Sequence, residues 1–403
     1  MSDAALARRE TRRRAPAAFR AAMAFLAANW SSGELVVAHP SGPDLELRGA
    51  EAGLSARLIV RDYRLLRRVL SRGLIGFAEG FMAGEWDTPD LSVLLVAFSR
   101  NLDRIQQVVK GRPLVRWAMT LVHALNANTR TGARRNIEAH YDLGNDFYGL
   151  WLDPSMTYSA GRWDGDGELE TAQRDKYAAL ARLIGLEPSH HLLEIGCGWG
   201  GFAEFAAGEV GAKVTAITIS PAQLAFAEAR LARRGLSERV ELRLVDYRDV
   251  EGQFDRVASI EMFEAVGERY WPAYFGKVRS LLRPGGLAGL QVITIREDLF
   301  ERYRRQADFI QRYIFPGGML ASERRLQEEM ARAGLAVRAV ERFGGDYART
   351  LREWRDRFER ASHEVTALGF DERFRRMWRF YLAYCEAGFS TGRTSVGQWV
   401  VEG

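Results

Sequence analysis

With 403 residues the chain is longer than one hydrophobic core usually supports, so two domains are expected, one smaller and one larger. Hydrophobic residues make up 47% and charged residues 27%, with no low-complexity tract, which excludes a disordered chain. Cys197 and Cys385 are the only cysteines and neither has a C-x-x-C partner, so a disulfide framework and a structural zinc are excluded, no metal is expected, and a reducing cytoplasm fits best.

The chain opens on a basic run, Arg8, Arg9, Arg12, Arg13 and Arg14, followed by AAFRAAMAFLAANW. Arg20 interrupts the apolar stretch and no clean cleavage pattern follows, so it does not read as a signal peptide, and nothing elsewhere reaches the roughly 18 apolar residues of a spanning helix. Net charge is +5 overall, yet residues 1–135 carry 21 Lys and Arg against 12 Asp and Glu. That asymmetry fits an anionic partner, either nucleic acid or the phosphate surface of a bilayer; a solvated arginine-rich surface explains it equally well. Between Glu34 and Arg61 two extended runs, ELVVA and ARLIV, flank the turn-rich SGPD, and apolar residues then recur at helical spacing to Leu95, which predicts a small α+β domain. Residues 100–135 read as helical and basic, ending near the polar NTRTGARRN, a linker. The expected division is a front domain over 1–130 and a larger one over 131–403.

From His191 onward strands alternate with helices: HLLEIG, GFAEFAAGEV, KVTAITI, PAQLAFAEARLARRG, VELRLVD and FDRVASIEM. This order predicts an α/β domain with a doubly wound, mostly parallel sheet, which binds ligands at the carboxyl ends of its strands. The loop Glu194-Ile195-Gly196-Cys197-Gly198-Trp199-Gly200-Gly201 joins the first strand to its helix, where glycines let a ligand approach the backbone. Gly196, Gly198 and Gly201 also satisfy the common dinucleotide fingerprint. Two details favour S-adenosylmethionine over NAD. Glu194 sits two residues before the first glycine, completing E-x-G-x-G-x-G with Gly196, Gly198 and Gly200, where a carboxylate can hold an ammonium group. The next strand ends in Thr218 with no Asp or Glu for a ribose diol, and Thr218 and Gln223 can hydrogen-bond in its place. Asp246, closing the third strand, is either an adenine-side contact or the cap of a turn before Tyr247-Arg248-Asp249.

The segment HYDLGNDFY, His140 to Tyr148, is followed by Met156-Thr157-Tyr158-Ser159 and, in order, by EIGCGWGGFA, ITISPAQ, DYRD, SIEMFEAVGERYW, LRPGG, YIFPGG and GGDYARTL. This series closely resembles the cyclopropane fatty acid and mycolic acid cyclopropane synthases, and GEWDTPDL with the two short strands is similar to the smaller amino-terminal domain of the bacterial phospholipid enzymes. The resemblance implies a Rossmann-like class I methyltransferase domain that alkylates double bonds of unsaturated acyl chains. It places Tyr158, Ser159, Gly196, Gly198, Thr218 and Gln223 around S-adenosylmethionine. It also implies a bound bicarbonate as base, with Glu264, Tyr347 and the backbone of Ile293 among its holders, whereas two positions depart: the family's cysteine is Ala160 and its histidine is Gln291.

An alkene is a weak nucleophile, so alkylation requires close alignment in a dry pocket, and the resulting carbocation must be shielded and deprotonated. Tyr347, Phe263, Tyr313 and Phe315 are candidates for an aromatic lining, with ordinary core packing the stronger expectation for Phe263 and Phe315. Gln291 donates to an anion but cannot relay a proton as histidine does. Proton loss from the added methyl closes a cyclopropane, the expected product; loss from a chain carbon gives a methyl-branched alkene. Glu261 reads as a surface or capping carboxylate and Glu264 as the catalytic one. Residues 297–320 read as an interfacial or lid helix with Arg302, Arg304, Arg305 and Arg312, or as a packed helix with a basic face. The expected partner is membrane phospholipid, reached by peripheral docking at the cytoplasmic face. A soluble or carrier-bound substrate is the alternative; no nucleic acid is expected, and the front domain is expected to support a homodimer.

Overall fold

A computed structural model describes residues 14–110 and 143–403; the basic run up to Arg13, the 128–136 linker and His140 to Asp142 lie outside the described residues. The chain divides into two compact units, Met1–Thr129 and Arg130–Gly403.

The first unit holds a four-stranded sheet in the order β2-β1-β3-β4, with β1 Ser32–Ala38, β2 Leu45–Arg48, β3 Glu51–Val60 and β4 Trp86–Asp87. β1 and β3 are the two expected extended runs, paired in parallel, and SGPD turns β1 into β2, a short strand of alternating LELR that the sequence reading passed over. Alternation sets the buried face: Leu35 and Val37 of β1 and Ala56, Leu58 and Val60 of β3 are buried. The helix Leu91–Lys110 packs on this sheet, and its buried Asn101 ties the two together, accepting from the backbone N–H of Ser31 and Ser32 and donating to Ser32 O. Over its described residues the front unit is close to neutral. Arg48, Arg57, Arg61, Arg64, Arg68 and Arg72 each pair with a carboxylate of the same unit. Residues 14–110 hold 12 Lys and Arg against 10 Asp and Glu, so most of the positive surplus lies in the residues outside the described segments.

The second unit is built on a seven-stranded sheet in the order β10-β11-β9-β8-β5-β6-β7. The strands are β5 His191–Ile195, β6 Lys213–Thr218, β7 Val240–Leu244, β8 Phe254–Ile260, β9 Leu282–Ile295, β10 Ala336–Arg342 and β11 Thr394–Glu402. β5 to β9 run parallel, and β11 and β10 add an antiparallel edge. Successive residues of β5 go to opposite layers, Leu192 into one apolar core with Leu180, Phe202 and Val214, and Leu193 into the other with Val257, Trp271 and Leu290. A strand covered on both faces reads as a continuous apolar run, as HLLEI does. The order reverses between β5 and β8, which opens a crevice at their carboxyl ends, the place where such sheets take ligands.

Residues 297–320 are not one helix. Two short ones, Glu297–Tyr303 and Phe309–Tyr313, are separated by a turn, and Asp308 stops and restarts the chain by capping the second one, accepting from Gln311 N. Their Phe300 and Phe309 are buried in the unit, so an interfacial lid helix is not formed here.

Candidate active site

The loop after β5 is shaped by its glycines. Gly196, Gly198 and Gly200 all have positive φ (80°, 53° and 82°), where other residues are strained. A Cβ on Gly196 would lie 2.7 Å from Met262 Cγ, so the loop is pressed against the turn that follows β8; one on Gly198 would meet nothing within 4 Å, leaving that backbone open to a ligand. Glu194, at the end of β5, is buried, and its Oε2 has no hydrogen-bond partner. Burial raises its pKa to about 8, against the pull of the Lys176 ammonium.

At the end of β6 the segment Thr218-Ile219-Ser220-Pro221 explains itself locally. Ser220 caps the helix Pro221–Arg233 by accepting from Gln223 N, and proline takes the first helical position. That geometry turns Gln223 back toward Thr218, whose hydroxyl donates to Gln223 Oε1 at 3.0 Å. Asp246 caps a single turn, one of its two expected roles: it accepts from Arg248 N and pairs with the Arg248 guanidinium at 2.7 Å.

The segment beginning at Leu143 folds over the glycine loop. Asn145 accepts from Trp199 Nε1 at 2.8 Å, and the Tyr148 ring lies 5.1 Å from that of Trp199. Tyr158 joins an aromatic group rather than a polar one: Tyr148, Trp151, Phe315 and Trp354 surround its ring, and its hydroxyl shares a hydrogen with Tyr381 at 2.6 Å. Ser159 is buried and accepts from Lys176 Nζ at 2.6 Å, while its carbonyl accepts from Gln173. Lys176 is fully buried, and burial lowers its pKa to about 7 although Glu261, Asp153 and Glu194 oppose the shift. The sequence reading missed this lysine. It sits within the helix Leu169–Leu183, in a stretch whose charged residues resemble any solvated face.

The second part of the site follows β8. The turn Glu261-Met262-Phe263-Glu264 carries two carboxylates with different surroundings. Glu264 Oε1 accepts from Ile293 N at 2.6 Å, and its buried Oε2 has no partner. Burial, aided by repulsion from Glu261, raises the pKa of Glu264 to about 8. Glu261 is not the surface or capping carboxylate expected. Its Oε1 accepts from Ala160 N and from Gln291 Nε2, both at 2.8 Å, and its Oε2 accepts from Tyr347 OH at 2.7 Å. Burial raises its pKa, while these donors and Lys176 pull it back. Gln291 is held in turn by Gln398, whose Nε2 donates to Gln291 Oε1 at 3.1 Å. Of the aromatic candidates, Phe263 belongs to the core with Trp271, Tyr274 and Phe275, as expected, whereas Phe315 is 37% exposed and faces Tyr158 and Tyr381.

Residues 128–399 match the family described as mycolic acid cyclopropane synthetase. The chain belongs to that family. It is 40% identical over 354 residues to the tuberculostearic acid methyltransferase UfaA1 of Mycobacterium tuberculosis, covering 85% of this chain and 82% of that protein. It is 34% identical over 335 residues to the cyclopropane-fatty-acyl-phospholipid synthase of Escherichia coli strain K12, covering 83% and 84%. The crystal structure of the mycolic acid cyclopropane synthase CmaA1 with SAH and CTAB superposes with a TM-score of 0.62 at 30% identity, covering 67% of this chain and 98% of that one. The chain is therefore an S-adenosylmethionine-dependent methyltransferase with the class I fold, in a family that modifies lipids.

The residues fit that cofactor: Glu194 Oε2 is a buried acceptor without a protein donor, and the Gly198 backbone is open. They do not fit a bound bicarbonate. Ala160 N, Gln291 Nε2, Tyr347 OH and Ile293 N already donate to Glu261 and Glu264, so an added anion would find two carboxylates where it needs donors.

Proposed function

We propose that this enzyme alkylates the double bond of an unsaturated acyl chain in membrane lipid. The observation that carries the reading is the pair Glu261 and Glu264 on one turn, pressed through Met262 against the Gly196 loop and adjoining the aromatic group around Tyr158. Bound S-adenosylmethionine supplies a methyl group made electrophilic by its sulfonium. Glu194, Gly196, Gly198, Gly200, Thr218 and Gln223 are the residues to hold it, with Ser159 positioned through Lys176. Alkylation leaves a cation on the acyl chain. Tyr148, Tyr158, Trp354 and Phe315 offer it ring faces, and a site lined by them keeps out the water that would capture it as an alcohol. A carboxylate must then remove a proton; Glu264, held by Ile293 N, and Glu261, held by Gln291 and Tyr347, are the candidates for that step.

Two outcomes share every step but the last. A proton lost from the transferred methyl closes a ring; one lost from a chain carbon leaves a methyl-branched alkene. The second is the better supported, because Ala160 and Gln291 stand where the resemblance puts the cyclopropane synthases' cysteine and histidine, and a 40% identical relative is named a tuberculostearic acid methyltransferase and not a cyclopropane synthase. The cyclopropane reading is kept by the similarity to the Escherichia coli synthase. Acyl chains of phospholipid lie in a bilayer, and no helix among the described residues is long and apolar enough to cross one, so access by peripheral docking completes the proposal, with the front unit as the docking or dimerising part.

The test is incubation with methyl-labelled S-adenosylmethionine and vesicles of monounsaturated phospholipid, followed by mass and fragmentation analysis of the released acyl chains. Label in the acyl chain beside a retained double bond establishes the branched product; label with no remaining double bond establishes the ring. No label in lipid overturns the proposal.

A further inference from the structure

Glu261 has two properties that a carboxylate placed merely for charge does not need. It is one of two non-glycine residues with positive φ among the described residues, at 49°, a conformation that strains any residue with a Cβ and persists where the surroundings hold it. Here they do: Glu261 N donates to Gln291 O at 2.9 Å while Gln291 Nε2 returns a hydrogen bond to its carboxylate, so β9 grips the residue at both ends. Its carboxylate also occupies the donors of Ala160, Gln291 and Tyr347, three of the positions at which the resemblance would place a bicarbonate; the fourth, Ile293 N, is taken by Glu264.

We infer that Glu261 is the base of the reaction, its side chain standing in place of a bound bicarbonate. The inference rests on the alkene-alkylation reading and adds the identity of the group that takes the proton. Three hydrogen bonds leave a carboxylate with room for one more acceptor contact. In the step assigned to it, a C–H bond beside the cation breaks, and its electron pair forms the new carbon–carbon bond, a π bond for the branched product or a ring bond for the cyclopropane. The proton passes to Glu261 and from there to solvent once product leaves. Tyr347 and Gln291 are positioning residues that aim the carboxylate, and Ala160 leaves its backbone N–H to do the same.

The experiment compares the full-length protein, loaded with S-adenosylmethionine, with Glu261→Gly and Glu261→Gln. Glycine accepts the positive φ without strain, and glutamine keeps the shape without the basicity, so one variant serves if the other fails to fold. In buffer stripped of carbon dioxide, wild-type turnover on monounsaturated vesicles is expected to be the same with and without added bicarbonate. Glu261→Gly is expected to lose about 10²- to 10⁴-fold, the usual worth of a general base, and to recover part of it with bicarbonate or formate. Cofactor affinity, measured by calorimetry, should not change in either variant. Stimulation of the wild type by bicarbonate, or wild-type turnover by either variant in stripped buffer, overturns the inference. Binding of ¹³C-labelled bicarbonate, followed by NMR, needs no turnover: saturable binding by Glu261→Gly alone supports the inference even if no unsaturated lipid is a substrate. Saturable binding by the wild type, or by neither protein, defeats it.

Discussion

At the scale of single residues the site is a set of buried acids whose charge is set by what surrounds them. Glu194 and Glu264 both have pKa values near 8, raised mainly by burial, against 4.5 for a free glutamate. Because their folded values lie above the unfolded one, the neutral forms stabilise the fold; that contribution is complete below about pH 4.5 and is lost as pH rises through about 8. The melting temperature of the cofactor-free protein is therefore expected to fall between about pH 5 and 7, below the range in which Lys176, its folded pKa lowered to about 7, acts with the opposite sign, and to fall less in Glu264→Gln, which is neutral throughout; a scan of both proteins across that range checks it. If Glu194 takes the cofactor's ammonium, binding near pH 7 must release a proton, since a cation beside a carboxyl lowers its pKa. Titration calorimetry in two buffers of different ionisation enthalpy should show that release, and Glu194→Gln should abolish it while weakening affinity. Glu264→Gln is expected to lower turnover by about 10²- to 10⁴-fold with cofactor affinity unchanged, because the proposed chemistry puts Glu264 at the deprotonation step and outside the cofactor cradle. Lost affinity instead would move Glu264 into that cradle.

At the scale of elements, β5 and β8 do most of the positioning, being adjacent, parallel and covered on both faces. Leu193→Ala should cost about 2–5 kcal/mol, since a core enclosed on all sides collapses poorly around a lost side chain, and chemical denaturation measures it. Gly196→Ala tests the other constraint. Its φ of 80° and the 2.7 Å approach to Met262 would force the glycine loop and the Glu261-Glu264 turn apart, so both cofactor affinity and turnover should fall together. A substitution that spared affinity would show that the two parts move independently. The segment 297–320 marks where element reading from pattern stops: its apolar spacing is helical on either side of Asp308, and only the capping geometry at that aspartate divides it.

At the scale of the molecule, six of the front unit's described arginines pair with carboxylates, so the proposed docking would draw mainly on the basic residues outside 14–110. Binding to anionic vesicles is expected to weaken as the screening length drops from about 10 Å at 0.1 M salt to about 3 Å at 1 M, with binding to neutral vesicles little affected; co-sedimentation at both salts checks it. The sequence alone was enough for the α/β class, the glycine loop and its Glu194, and the family, because each is written in contiguous residues: a period-two or continuous apolar strand, a run of glycines, a motif. It also singled out Glu264, Gln291, Ile293 and Tyr347, though only by likeness of motif. Tertiary structure alone decided what Glu261 touches, that Lys176 is buried against Ser159, and that the donors of Ala160, Gln291, Tyr347 and Ile293 are already engaged by Glu261 and Glu264. Those facts depend on residues as much as 101 positions apart, such as Ala160 and Glu261, meeting at the end of one strand. A carboxylate's role is set by the donors around it, and those donors come from β9, the helix Gly344–Arg360 and the turn at Ala160, whose convergence no local pattern records.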